Sequence, residues 1–331
     1  MAAGDGAHSD LAGLAGLADE GLAEWVRAVR REPGPPNRVT GAAALREASA
    51  ARAGSRPPGP EVPVVTDLAT DEGVRLRLYG PSDEPRPLTL YLHGGGFVVG
   101  DLESHDAICR RLAHFGDLTV LAVDYRRAPE HPGPAAVDDA VRAFGWARSR
   151  LNELGELARD EVELAGAGIG LAGDSAGGAI AVLAAVRLRD QGTPAAGLLL
   201  ANPNADLTLA QPSVQTEGHG WGLEADDMRW FIEQWVPQPA RRSDPSLSPL
   251  HADLTGLPPA VIVTSEHDPL RDEGSELARR LRDGGAEVQH ECLPGMVHGF
   301  VNLCQVSPAA DEAGRGLFRR FGQVLAQPAR R

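Results

Sequence analysis

The feature that most constrains this 331-residue chain is a pentapeptide, Gly173-Asp174-Ser175-Ala176-Gly177, set between two apolar runs of different character. Residues 169–172 before it are short and glycine-bounded, as in a buried strand, and residues 179–186 after it continue as a helix would. A chain passing from strand to helix within so few residues must turn sharply. Glycines flank the serine because a side chain there would collide with strand or helix. Such a turn holds a hydroxyl out over the end of a sheet, and the helix start aims backbone N–H groups at negative charge. By composition G-x-S-x-G arises by chance roughly 0.2 times per chain, so its placement says more than its letters.

The remaining pattern supplies the sheet. From about residue 62, Val64-Val65 and residues 74–79 read as antiparallel strands, and 88–92 and 118–123 as short buried ones, with helical period over 106–115 between them. Helices follow at 134–151, 177–189, 273–282 and 312–325, and strands at 168–172, 197–201, 260–264 and 287–293. Strand and helix in alternation predict an α/β fold, a mostly parallel sheet covered on both faces. Residues 206–244 break the rhythm. Their core, 224–236, places Met228, Phe231, Ile232 and Trp235 on one side of an amphipathic helix, an insertion suited to a cap. Trp221, Trp230, Trp235 and Phe231 are read there as packing residues. Residues 9–31 also have helical period, ended by Pro33, Pro35 and Pro36, and the stretch to about 60 reads as a linker or a weakly ordered helix.

A second motif, His93-Gly94-Gly95-Gly96, directly follows the strand at 88–92. It arises by chance only roughly 0.02 times per chain. Successive glycines let the backbone turn two N–H groups toward one point, a pocket for an oxyanion. Gly95 and Gly96 are the expected donors, with Ala176 as the third. A phosphate cradle is disfavoured, since no Lys or Ser/Thr follows in Walker spacing. A serine of ordinary acidity needs a base, and the base a carboxylate to orient it. His298 and Asp268 each sit on a loop just after a predicted strand, with Glu266 a competing acid. His93, His131 and His290 read as structural and His267 as solvated.

Composition narrows the chemistry further. The net charge of −14 argues against nucleic acid and anionic membranes as partners. All 32 basic residues are Arg, which removes Schiff-base and P-loop lysines. Cys109, Cys292 and Cys304 form no CxxC pair or zinc-like cluster, so neither a metal nor a redox role is expected. The N-terminus lacks the basic region of a secretory signal, and the apolar stretch 164–186 is interrupted by Asp174, Ser175 and glycines. A cytoplasmic chain without a membrane span is expected.

Taken together, HGGGF (93–97), DYRRAPEHPGPAAVDD (124–139), GDSAGG (173–178), SPLHADLTGLPP (248–259), DPLRDEG (268–274) and GMVHGF (295–300) resemble the hormone-sensitive lipase family of bacterial esterases, within the α/β-hydrolase superfamily. The resemblance spans about residues 62–321. It implies a helical cap from residues 1–60 and 205–244, and an α/β-hydrolase core from 61–204 and 245–331. It also implies a triad of Ser175, Asp268 and His298, an oxyanion hole at Gly95, Gly96 and Ala176, and no cofactor. The implied activity is hydrolysis of short- to medium-chain carboxylic esters, small-molecule substrates, through an acyl-enzyme. The same site acting on a specialised metabolite, as deacylase, amidase, acyltransferase or lyase, stays open. So do a non-catalytic ligand receptor and a homodimer. Arg127 and Gly133, Ala179, and Asn202-Pro203-Asn204 depart from the family pattern, and are expected to reshape the wall around the substrate without touching the triad.

Overall fold

Period-two apolarity carried on both faces builds the centre of the fold. In the strand after residue 87, Leu90 and Leu92 pack into one helical layer while Tyr91 packs into the opposite one, and Leu198 and Leu200 alternate with Leu199 in the same way. The computed structural model describes residues 14, 16–55, 57–80, 86–150 and 168–327. Its strands are β1 (Val64–Ala69), β2 (Arg75–Gly80), β3 (Leu88–Leu92), β4 (Thr119–Asp124), β5 (Gly170–Asp174), β6 (Leu198–Ala201), β7 (Ala260–His267) and β8 (Val288–Val297). They form one sheet in the order β1-β2-β4-β3-β5-β6-β7-β8. The pairs β1/β2 and β2/β4 are antiparallel, and the rest of the sheet is parallel, with Leu90 of β3 beside both Leu121 and Leu171.

The helices are α1 (Glu20–Arg31), α2 (Asn37–Ser55), α3 (Asp106–Gly116), α4 (Ala135–Ser149), α5 (Ala176–Asp190), α6 (Ser213–Thr216), α7 (Ala225–Trp235), α8 (Arg271–Asp283) and α9 (Pro308–Leu325). The apolar faces of α4, α5 and α8 cover one side of the sheet, and those of α3 and α9 the other. This is the α/β-hydrolase arrangement. Among the described residues no helix is long and apolar enough to cross a membrane.

Several boundaries differ from the sequence reading, each for a local reason. The helix expected from about residue 9 begins at Glu20, because the Asp19 side chain accepts the Leu22 N–H at 2.9 Å as an N-cap. Residues 9–13 and 15 lie outside the described ones, as do 151–167. The same Asp19 carboxylate accepts Ser307 Oγ–H and the Ala309 N–H, joining α1 to the start of α9. Helix α9 starts at Pro308, earlier than expected, capped by Ser307 Oγ on the Ala310 N–H. The open stretch before residue 60 is helix α2, kinked at Gly41. Strand β8 runs through Pro294-Gly295 to Val297, since a register shift near Ser265 and His267 lets β7 follow it and Glu266 accepts the Gly295 N–H at 2.7 Å.

Helices α3 and α9 cross where both backbones are bare. A Cβ at Gly322 would stand 2.0 Å from the Gly116 carbonyl oxygen, whereas one at Gly316, on the same helix, would meet nothing within 4 Å. Gly322→Ala should therefore cost about 1–3 kcal/mol in urea denaturation. Gly316→Ala should stabilise by roughly 0.5–1 kcal/mol. Equal effects from the two would contradict this packing.

Candidate active site

Ser175 joins β5 to α5 with φ 52° and ψ −121°, in backbone space that a residue with a Cβ enters only under constraint. The constraint is visible on every side. The Ser175 N–H donates to the Ala201 carbonyl at 2.9 Å, and the Asn204 N–H donates to the Ser175 carbonyl at 3.0 Å. A Cβ at Gly177 would fall 1.9 Å from the Leu92 carbonyl oxygen, so α5 can approach the end of β3 only with glycine there. The turn expected from Gly173–Gly177 is thus a close crossing of helix start and neighbouring strand.

The other two sequence candidates arrive at the same place from adjacent strands. Asp268 directly follows β7, and His298 directly follows β8. His298 Nε2 lies 3.1 Å from Ser175 Oγ, and His298 Nδ1 lies 2.9 Å from Asp268 Oδ2. Asp268 is fully buried, and its other oxygen accepts the Leu270 N–H at 2.8 Å. A carboxylate can only accept, so the imidazole proton sits on Nδ1 and the Nε2 lone pair faces the hydroxyl. Burial pulls the His298 pKa down, but the Asp268 charge and hydrogen bond outweigh it, and the net shift is upward from 6.5. Glu266, the competing acid, is occupied by the Gly295 N–H and does not meet His298. His267 is not solvated as the sequence suggested. Its ring stacks on Trp221 at 4.0 Å, with the Arg30 guanidinium 4.5 Å from the centre of that indole.

The glycine loop after β3 completes the constellation. Gly95, Gly96 and Ala176 line the same cavity as Ser175 and His298. Gly95 and Gly96 both take positive φ, 117° and 60°, and among the described residues no hydrogen bond engages either N–H. Ala176 opens α5, so its N–H has no acceptor within the helix. His93 is structural. It is buried, stacks on Tyr125 at 4.1 Å, and its Nδ1 donates to the Gly94 carbonyl at 2.8 Å. Burial and repulsion from His105 push its pKa down to about 3, so the ring is neutral.

One participant was missed from the sequence. Asp174, beside the serine, is buried, and its Oδ1 accepts Tyr91 O–H at 2.7 Å and the Gly94 N–H at 2.9 Å. His105 Nε2 stands 3.6 Å from the same oxygen. Burial raises the pKa of Asp174, but the His105 charge and these hydrogen bonds overcome it, leaving it near 2 and the group ionised. The carboxylate thereby ties the glycine loop to the serine turn. A carboxylate inside an apolar run was the available signal.

The cavity holds about 520 Å³, within the usual size for small-molecule sites. Trp25, Ser49 and Arg52 from the N-terminal segment and Met228, Phe231 and Ile232 from α7 form part of its wall. Phe231 is therefore a wall residue as well as a packing one, whereas Trp235 is buried against Phe97. Of the departures from the family pattern, only Asn204 lines the cavity. Its Nδ2 donates to Glu273 Oε1 at 2.9 Å. Arg127 instead donates to the Gly100 carbonyl, Ala179 is buried in α5, and Gly133 leaves room for the Trp235 indole, 2.7 Å from where its Cβ would be. The expectation that all of them shape the wall is corrected to Asn204 alone, and the expectation that none touches the triad is corrected too, since the Asn204 N–H donates to the Ser175 carbonyl.

A depressed carboxylate pKa stabilises the fold above the unfolded value, near 3.8, and that contribution is lost as pH falls toward 2. Asp174→Asn should thus cost about 2 kcal/mol at pH 7 in urea denaturation, with the gap to wild type closing between pH 4 and pH 2. A gap that stays the same from pH 7 to pH 2 would contradict the ionised, hydrogen-bonded carboxylate.

Residues 89–302 match the alpha/beta hydrolase fold family. The chain is 40% identical over 262 residues to the carboxylic ester hydrolase LipN of Mycobacterium tuberculosis, covering 75% of this chain and 68% of that protein. It is 39% identical to the ethyl acetate hydrolase of Pseudomonas putida, covering 74% and 77%. Among solved structures, the hyperthermophilic esterase of Pyrobaculum calidifontis superposes with a TM-score of 0.81 at 33% identity, covering 94% of this chain and all of that one (100%). The chain belongs to the alpha/beta hydrolase fold family, in the hormone-sensitive lipase group that its motifs resemble.

Proposed function

We propose that this chain is a serine carboxylesterase that hydrolyses esters of short to medium chain length through an acyl-enzyme on Ser175. The observation that carries the reading is the unbroken line Asp268–His298–Ser175, with hydrogen-bond distances of 2.9 and 3.1 Å, ending in a cavity beside backbone donors that no hydrogen bond among the described residues engages. Ester hydrolysis in the relatives' names supports the reaction class, and the ethyl acetate in one of those names fits a cavity of this size.

In this reading Ser175 Oγ attacks the ester carbonyl carbon as its proton passes to His298 Nε2. The Nδ1–H bond to Asp268 holds the imidazole in the required tautomer and stabilises the imidazolium that forms. The carbonyl oxygen takes up negative charge facing the N–H groups of Gly95, Gly96 and Ala176. The imidazolium then protonates the leaving alkoxide, the C–O bond to the alcohol breaks, and the acyl group stays on Ser175. Water, deprotonated by the same imidazole, attacks the acyl carbon, and Ser175 leaves with its proton restored from His298. Residues 1–60 and 205–244 are assigned to the cap, a reading supported by Trp25, Met228 and Phe231, which line the cavity from outside the sheet's own strands and loops.

Ser175→Ala and His298→Ala should each lower kcat by about 10⁴–10⁶-fold on p-nitrophenyl acetate. Retention of a tenth of wild-type turnover by Ser175→Ala would end the proposal. The base must be neutral, so activity is lost as pH falls through the His298 pKa. The acid limb of kcat/KM is expected at a midpoint above 6.5, moving down in Asp268→Asn. A midpoint unmoved by that substitution would break the assigned pairing.

A further inference from the structure

We infer that Phe231 is a positioning residue for this reaction, its ring fixing the Gly96 peptide so that the N–H stays aimed into the cavity. The inference rests on the reading of Gly96 as an oxyanion donor and names what holds that donor in place.

The oxyanion loop is fixed differently along its length. At Gly94 it is held by a hydrogen bond, the N–H donating to Asp174 at 2.9 Å. One residue later, the Gly95 carbonyl accepts the N–H groups of Val98 and Val99. No hydrogen bond among the described residues engages the Gly96 N–H, as a vacant donor site requires. A glycine at φ 60° is the residue with most freedom to rotate away. Its N–H lies in one planar peptide with the Gly95 carbonyl, so the hydrogen bonds from Val98 and Val99 hold one side of the unit, and a ring backs the other side at the Gly96 α-carbon. A Cβ placed on Gly96 would stand 2.3 Å from Phe231 Cγ and 2.6 Å from both Cδ atoms, so the ring rests directly where a side chain would begin.

The ring is itself held. Trp230 packs edge-on to it, with centroids 5.3 Å apart and planes at 61°. Four residues on, Trp235 stacks on Phe97, the residue after Gly96, at 4.5 Å and 11°. Residues four apart share one face of a helix, so one face of α7 covers two successive positive-φ residues of the loop. The Trp235 carbonyl accepts the Gly133 N–H at 2.9 Å, and Asp227 accepts the Asn37 N–H at 2.9 Å, anchoring α7 to the core and to α2. The cap helix is thereby part of the device that aims the donor.

A misaimed donor weakens the transition state more than the ground state, because the oxygen gains its charge only on attack. Loss of one oxyanion donor costs about 10²–10³-fold in kcat. Loosening one should cost part of that. The test uses full-length protein and p-nitrophenyl acetate, whose short acyl group needs little wall contact, in wild type, Phe231→Ala, Phe231→Leu and Phe231→Tyr. Two inhibitors of matched chain length accompany it. An alkyl trifluoromethyl ketone adds Ser175 Oγ to its carbonyl carbon and presents the resulting oxyanion, and the corresponding methyl ketone binds largely unreacted.

We expect Phe231→Ala to lower kcat about 10–100-fold with KM changed less than threefold. It should weaken the trifluoromethyl ketone by a similar factor and the methyl ketone by less than threefold. Phe231→Tyr, which keeps a ring on Gly96, should stay within threefold of wild type, and Phe231→Leu should fall between. Leu, with less volume lost, keeps the test open if the Ala variant does not fold. A rise in KM at constant kcat, or equal weakening of both ketones, would overturn the inference and leave Phe231 as wall alone. A wild-type enzyme that binds the two ketones equally would overturn the oxyanion reading itself, which is a different failure.

Discussion

The first turn of α5 lies so close to the end of β3 that the Leu92 carbonyl occupies the space a side chain at 177 would need, and much of the molecule follows from that contact. It requires β3 and β5 to be neighbours, which they are, Leu92 pairing with Gly173. It forces the chain at Ser175 into a positive φ, lifting the hydroxyl off the sheet. It also puts the loop that leaves β3 beside the serine, so that Gly95, Gly96 and Ala176 face one cavity although some eighty residues of chain separate them. The strain at Ser175, of order 1–3 kcal/mol, is held by the hydrogen bonds to Ala201 and Asn204 and by the sheet beneath.

Two buried carboxylates give that geometry its electrostatics, and they divide the work. Asp268 faces the imidazole and lifts its basicity. Asp174 faces the backbone of the glycine loop, with Tyr91 and His105 satisfying the same oxygen. A buried anion is costly unless its lone pairs are engaged. Here the engagement doubles as the tie between serine turn and loop. Helices α2 and α7 hold the loop from its other side, by hydrogen bonds and by ring contacts. Arg46 of α2 donates to the carbonyls of Val98 and Ala128 and pairs with Glu130 at 2.7 Å, clasping the same loop from outside. Rings of α7 rest on Gly96 and Phe97.

Much of this was legible in the sequence. The strand and helix rhythm, the G-x-S-x-G turn and the glycine loop are local patterns, and local patterns survive without knowledge of neighbours. The segments carrying Ser175, Asp268 and His298 could be read because each follows a strand, and parallel strands deliver their ends to one edge. What escaped was long-range. Asp19 capping two helices, β8 running on through Pro294, and His267 stacked under Trp221 all depend on partners distant in sequence. Periodicity placed Phe231 and Trp235 on one face of a helix but could not say that the face meets the glycine loop. Gly133 looked like a change in the substrate wall, and only the Trp235 indole beside it shows it to be a packing site.

The central claim is that Ser175 is the nucleophile, and covalent capture tests it most directly. The protein would be incubated with a p-nitrophenyl alkylphosphonate, which leaves a stable phosphonyl ester on an attacking serine, then digested and mapped by mass spectrometry. The account predicts one phosphonyl group per chain, on the peptide containing Ser175, with turnover lost in proportion to labelling. Modification at another residue, or full labelling with turnover intact, would contradict it.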